Sequence, residues 1–428
     1  MTVWLHVIGV GADGADGLGP AARTLVGAAD LVVGGARHLD LVPGGNPAQQ
    51  RLAWPSPFMD GIRMLQRWRA GHPATARAVV LASGDPLWFG VGATLLQHFD
   101  PAEISIQPAP SAFSLAAARM GWPLQQTACI SLHGRPVAAL ALHLAPGQRL
   151  LCLTSGPETP AEVAALLQRD GYGPSPLTVL GNLGGPDECM LHGSGDRPAQ
   201  DVPALHVLAI DCRVAQDRMA SAAARSRLAG LPDDAFEHDG KMTKREVRAI
   251  TLSRLAPAPG QHLWDIGAGC GSVAIEWLRA GQAMRATGLE PDADRRAMAA
   301  RNAIALGVPH LDLRATSAPA GLADLDDPDA IFVGGGVAGP GLLQLLWSRL
   351  SAGGRLVANA VTVQGQAALM AAHGELGGDL VRLSVERVGP IGRGGAAART
   401  TGLTGWRPAM AVMQWSAIKG AGDGGTEE

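Results

Sequence analysis

The chain has 428 residues, enough for two or three domains, and its apolar fraction of 47% leans on alanine because aromatics make up only 4%. A formal charge of −3, from 35 basic and 38 acidic residues without a long basic run, argues against nucleic acid as the main partner. The five cysteines are far apart, the histidines are scattered, the N-terminus lacks a basic n-region and no apolar run approaches eighteen residues. These features weigh against a zinc site, a disulfide scaffold, a signal peptide and a membrane span, and predict a cytoplasmic protein with reduced thiols and no metal.

Residues 3–10 read as a buried strand that breaks into Gly9-Val10-Gly11-Ala12-Asp13-Gly14, a literal G-x-G-x-x-G. A dinucleotide site would need an acid ending the next strand, Leu31 to Val33, but the nearest acid, Asp30, precedes that strand. The spacing therefore weighs against a nicotinamide cofactor. A helix pattern over 19–29 separates the two strands, and Gly34-Gly35 then leads into Ala36-Arg37-His38-Leu39-Asp40. The short apolar strand 78–82 ends in Ser83-Gly84-Asp85-Pro86, small and turn-forming residues where open α/β sheets place ligands. Pro110 to Ser114 opens another helix, with Ser111 suited to cap it. Further strand-like runs at 150–153, 177–180 and 205–210 close this half.

The ordered set VIGVGADG (7–14), DLVVGGARHLDL (30–41), ASGDPLWFGVG (82–92), PAPSAFSLA (108–116) and SLHGR (131–135) resembles the tetrapyrrole methylases, and more narrowly their cobalamin-pathway members. The resemblance implies two α/β lobes with S-adenosylmethionine (SAM) in the cleft between them. Carried across by position, Gly9, Gly84, Asp85 and Ser111 would bind it. The family's first loop usually reads Gly-x-Gly-Pro-Gly, and Ala12-Asp13 stand here in place of the proline and its neighbour, so Gly11 is left outside this set.

Residues 212–232 are polar, rich in small residues and bounded by Gly and Pro, as linkers between domains are. Beyond them, the strand ending in Asp265-Ile266 is followed by glycines at 267, 269 and 271 and by an amphipathic helix carrying Val273, Ile275, Trp277 and Leu278. This D-x-G-x-G-x-G spacing puts the acid first, as in SAM methyltransferases, and glycines let a ligand approach the backbone closely. Glu290 closes the next strand about twenty residues on, where a carboxylate can accept both ribose hydroxyls. Asp265, Gly267, Ala268, Gly269, Cys270, Gly271 and Glu290 thus form the expected SAM set. Helices over 292–306 and 342–350 alternate with strands at 311–315, 330–333 and 354–359, and the runs 380–388 and 409–415 are expected to pair as a terminal antiparallel hairpin. This alternation predicts a doubly wound sheet whose ligand edge gathers Asp265, Glu290, Ala318 and Gly334. Upstream, Thr243 can cap a helix starting near Lys244, with Glu246 as its capping partner.

The phrase DGKMTKREVR (239–248) ahead of that strand, with DPDAIFVGGG (327–336) and LSAGGRLVANAVT (350–362), closely resembles the decarboxylating precorrin methyltransferase family. Thr243, Gly267 through Gly271, Glu290 and Ala318 would line the SAM site by that resemblance. Lys241, Lys244, Arg245 and Arg248 are expected to hold substrate carboxylates on charge grounds alone. The organisation expected is α/β throughout: a two-lobed tetrapyrrole methylase domain (1–211), the linker, a Rossmann-like class I SAM methyltransferase domain (233–418) and a disordered tail (419–428). Together the resemblances imply one SAM per domain, methylation of carbons 5 and 15 of a reduced precorrin-6 with loss of CO2 from the ring C acetate, and association into a homo-oligomer. A SAM methyltransferase acting on RNA or another tetrapyrrole, and a non-catalytic SAM sensor, are the competing readings. No catalytic residue is singled out by the sequence.

Overall fold

Six successive buried residues, Leu5–Val10 (β1), make a strand shielded on both faces, the pattern of a central parallel strand. In the computed structural model, which describes residues 3–44, 46–218, 226–390 and 404–420, β1 lies between β4 (Ala78–Ser83) and β5 (Ile104–Gln107). With β2 (Leu31–Gly34) and β3 (Gln50–Ala53) these form a parallel sheet of order β3-β2-β4-β1-β5. Alternate residues of one strand face opposite sides. Leu5, Val7, Leu31 and Val33 pack under the helix Phe58–Ala70 through Ile62 and Leu65. Ile8, Val10 and Val32 pack against Ala22 and Val26 of the helix Pro20–Ala28.

The helix Ala112–Met120 starts at Ser111, whose hydroxyl accepts the Ser114 N–H at 3.1 Å as the sequence predicts. Its Phe113, Ala116 and Ala117 pack on a second sheet of order β6-β7-β10-β8-β9. These strands are β6 (Thr127–Ser131), β7 (Arg149–Leu153), β8 (Pro176–Gly181), β9 (Cys189–Ser194) and β10 (His206–Asp211). Only β6 and β7 run parallel; the other pairs are antiparallel. Both sheets belong to the first of two compact units, Met1–Met219 and Ala220–Glu428.

The second unit is built on seven strands of order β13-β12-β11-β14-β15-β19-β16. The first five, β11 (His262–Ile266), β12 (Arg285–Leu289), β13 (Asp312–Arg314), β14 (Ala330–Val333) and β15 (Arg355–Ala360), are parallel. Strand order reverses between β11 and β14, which fixes the ligand edge at their C-terminal ends. The doubly wound α/β architecture agrees with the sequence.

Three local expectations differ. The runs 380–388 and 409–415 do supply an antiparallel pair, β16 (Asp379–Leu383) with β19 (Val412–Ile418), but not a simple hairpin. The chain leaves the sheet after Leu383 and builds a separate ladder of β17 (Glu386–Pro390) and β18 (Thr404–Pro408). The linker is shorter than 212–232. Cys212, Arg213 and Ala215 donate to or accept from residues 147, 148, 171 and 175 of the first unit, while buried Leu231 and Gly230 donate their N–H groups to Glu276 of the second. The tail does not begin at 419 either, because the Lys419 ammonium is buried and donates to the carbonyls of Ser348 and Leu350 at 3.0 and 2.8 Å. The remainder of the expected tail, 421–428, lies outside the described residues. No helix among the described residues is long and apolar enough to cross a membrane.

Candidate active sites

In the first unit, three strand-end loops meet backbone to backbone. A Cβ on Gly9 would lie 2.0 Å from the Gly84 carbonyl oxygen and 2.5 Å from the Ala109 nitrogen, so only glycine allows this approach. Gly84, at φ +53°, donates to Val10 O at 3.0 Å and accepts from Ala109 N at 3.1 Å. Asp85 Oδ1 accepts the Leu87 N–H at 2.9 Å and so fixes its own turn. The chain then presents Trp88 and Phe89, which pack on Phe113 with ring centroids 5.4 and 5.9 Å apart, and the Arg135 guanidinium lies 5.8 Å over Phe89.

These loops border a cavity of about 480 Å³ that also takes in strand ends of the second sheet, a volume in the ordinary range for small-molecule sites. Of the residues read from sequence, Gly84, Asp85 and Ser111 line it; Gly9 is packed beneath Gly84. Gly11, left out on sequence grounds, does line it. So do His38, Ser83, His133, Thr154 and His206, which sequence reasoning missed because the fold alone brings them together. His38 Nε2 lies 2.8 Å from Ser83 Oγ, and burial, then the charge of Arg37, hold its imidazole below the usual histidine range.

In the second unit, Gly267, Gly269 and Gly271 all adopt left-handed φ, +76°, +57° and +79°. Side-chain-bearing residues pay for that conformation in strain, which is why the loop between β11 and the helix Ser272–Ala280 reads Gly-x-Gly-x-Gly. Glu290 follows β12 directly; its Oε2 accepts the Gly269 N–H at 2.8 Å and its Oε1 the Asp292 N–H at 3.0 Å. The carboxylate therefore sits on the glycine loop and keeps further lone pairs for a ligand. Asp265 is 1% exposed, and Oδ2 accepts the Ala274 N–H at 3.1 Å while Oδ1 has no partner within the protein. Burial pushes this carboxyl up to about 7; the Ala274 bond opposes the rise and nearby Glu290 adds to it.

Over this loop lies the segment before the helix Arg245–Leu255: the Lys241 carbonyl oxygen is 3.8 Å from where a Cβ on Gly269 would be. Asn302 ties the two together, donating to the carbonyls of Glu237 and Cys270 at 2.9 and 3.0 Å. Ala268 and Cys270 are buried inside the loop, and half-buried Ala318 packs against the core cluster beneath the ligand edge.

The basic residues near this loop separate into two kinds. Lys241 is exposed, Lys244 is half-buried, and Arg245 is exposed with its Nε donating to the Gly230 carbonyl. Arg248 is not a ligand for substrate carboxylates, contrary to the reading from charge. It is 0% exposed, and its guanidinium donates to Glu276 at 2.6 Å, Asp233 at 3.2 Å, Thr243 O at 2.6 Å and Leu231 O, with the Phe236 ring 4.8 Å away. A cation this deeply buried, paired with two carboxylates and two carbonyls, is closed off from a ligand. Thr243 does not cap the helix either: Lys244 occupies the cap position, and no side chain bonds there.

Two family models match the chain: the tetrapyrrole (corrin/porphyrin) methylases over residues 4–198 and the precorrin methyltransferase domain over residues 234–419. A precorrin-6Y C(5,15)-methyltransferase (decarboxylating) of a Sinorhizobium species is 46% identical over 97% of this chain and 97% of its own. The chain belongs to the precorrin-6Y C(5,15)-methyltransferase family. A second member, from Mycobacterium tuberculosis, is 40% identical over 96% of this chain and 99% of its own. Among solved structures, the C-terminal domain of the Rhodobacter capsulatus family member is 41% identical and covers 45% of this chain and 100% of its own, with a TM-score of 0.41. The dinucleotide reading of Gly9 to Gly14 finds no second support: Asp30 accepts the Arg77 N–H at 2.9 Å before β2 begins.

Proposed function

We propose that this chain methylates carbons 5 and 15 of a reduced precorrin-6 and releases the ring C acetate carboxyl as CO2, giving precorrin-8 in cobalamin biosynthesis. The observation that carries this reading is the 46% identity to a decarboxylating C(5,15)-methyltransferase across both units, not across one alone. SAM supplies each methyl as an activated sulfonium. The second unit suits it: a positively charged ligand meets an unpartnered buried Asp265 oxygen, and three left-handed glycines leave room beside Glu290. The first unit suits it with its cavity between strand-end loops. That pair of sites supports the reading of one SAM per unit.

A reduced tetrapyrrole's bridging carbons are enamine-like nucleophiles, so the protein's main tasks are alignment and exclusion of water. The tightly packed loops at Gly9, Gly84 and Ala109 suit the first task, and the Trp88-Phe89 turn, held on Phe113, suits the second. Lys241, Lys244 and Arg245 are the cations we assign to substrate carboxylates in the second unit. Methylation at carbon 15 leaves an iminium-type electron sink beside the acetate, and carboxylate loss then needs no further cofactor. We assign carbon 15 and CO2 release to the second unit and carbon 5 to the first, in a protein that associates with copies of itself and takes a small tetrapyrrole, not nucleic acid, as substrate.

Mass spectrometry of purified protein incubated with SAM and reduced precorrin-6 tests this. Two added methyls with one CO2 lost is the expected result. No change despite SAM binding would point instead to another substrate or to a sensor.

A further inference from the structure

Adding a methyl group to a bridging carbon creates a proton that must leave. The carbon's π pair attacks the methyl carbon, a C–C bond forms as the C–S bond breaks, and the C–S pair stays on sulfur. The methylated tetrapyrrole is then a cation, and it becomes neutral by losing a proton from the bridging carbon or from the ring N–H conjugated with it. In the second unit the departure of CO2 can discharge that cation. In the first unit no such route exists, and a proton acceptor is required.

We propose that Ser83 and His38 form that acceptor, a relay in which the Ser83 hydroxyl takes the substrate proton while passing its own to His38 Nε2. Both residues line the cavity, Ser83 at the end of β4 directly before the Gly84-Asp85 turn, and they are 2.8 Å apart. The other ring nitrogen, Nδ1, is buried and lies 3.3 Å from where a Cβ on Gly35 would be, so Nε2 is the nitrogen turned to the hydroxyl. Burial, then the charge of Arg37, hold the imidazole below the usual histidine range, which favours the neutral form an acceptor requires. Two further groups around the cavity are competing acceptors: Asp85 accepts the Leu87 N–H through Oδ1 only, and His206, with Nδ1 2.7 Å from Pro203 O, keeps a buried Nε2 without a partner. The His38 pair differs in that its Nε2 is already bonded to a hydroxyl at the strand end, while Arg37 and Arg135 are cations. His133 lines the same cavity but does not bond to Ser83.

The relay rests on the proposed function, and the second unit supplies an internal check. Full-length protein carrying Ser83→Ala or His38→Gln should still release CO2 from reduced precorrin-6 with one methyl added. Addition of the other methyl should slow at least about 100-fold in kcat with KM unchanged. Glutamine can keep the hydrogen bond to Ser83 but cannot carry a proton, so a merely structural role predicts near-normal turnover for His38→Gln. Ser83→Thr retains the hydroxyl and should restore most of the rate, and the rate of the wild-type chain should fall as pH drops and the imidazole protonates. Two methyls added at the wild-type rate by either variant would overturn the relay, as would a loss found in His206→Gln but not in His38→Gln. Wild-type protein that binds SAM yet leaves the precorrin unchanged would overturn the functional reading and the relay together, an outcome distinct from failure confined to the variants.

Discussion

The first unit surrounds its cavity with strand-end backbone: Gly9, Gly84 and Ala109 touch through main-chain atoms, and Asp85 turns its carboxylate back on its own loop. The second unit answers with side-chain charge, burying Asp265 and setting Glu290 on a loop of three left-handed glycines. Under the proposed function, one class of ligand is met by shape in one unit and by electrostatics in the other. Shape should fail abruptly when a methyl group is added, whereas charge should fail gradually and with pH.

The largest effect is expected at Arg248. Arg248→Met leaves Glu276 buried without its cation, a loss of about 3–5 kcal/mol. Calorimetry should show the second unit melting earlier while the first is unmoved; an unchanged profile would mean that the pair adds no net stability. Next comes Gly9→Val, whose Cβ would displace Gly84 and Ala109. Ångström-scale misalignment can cost on the order of 100-fold in rate, so carbon 5 methylation should collapse while CO2 release persists. Glu290→Gln removes charge but not shape, and hydrogen bonds to charged groups contribute about 1.5–3 kcal/mol. Titration calorimetry should find SAM held at least about tenfold more weakly in the second unit only.

The smallest effect, and the sharpest test of the charge side, concerns Asp265. Its carboxyl is raised to about 7 by burial, so the folded chain binds this proton more tightly than the unfolded chain does. Its contribution to stability is therefore full in acid and is lost as pH rises from about 4 to about 7. Asp265→Asn should flatten that slope and raise the melting temperature of the ligand-free second unit at pH 8 more than at pH 5. SAM, being cationic, should favour the ionised form, so its affinity there should rise about tenfold from pH 6 to pH 8, with proton release. A pH-independent affinity would put Asp265 outside the charge balance of the site.

The same contrast governs what could be read in advance. The second site was legible because strand, acid, glycines and following acid are consecutive in the chain and each has a local cause. Most of the first site is not local. Ser83 and His38 are 45 positions apart, and the contributions of Thr154 and His206 exist only once the second sheet has formed. Arg248 misled because a cation in a helix ordinarily faces solvent, and only the tertiary fold supplies Glu276 and Asp233 to bury it. The short linker was hidden for a similar reason, since Glu276 and Ser175 capture its two ends from far along the chain.

The position of β19 has a bearing on handling the protein. It is the last described strand, yet it lies inside the sheet, hydrogen-bonded to β15 on one side and β16 on the other, with Gln414 and Trp415 fully buried. A cut or truncation ahead of Val412 would not trim an edge. It would open two, and their unpaired N–H and C=O groups would offer ready templates for strand addition between molecules. Shortened versions of the second unit should therefore precipitate, not merely lose activity.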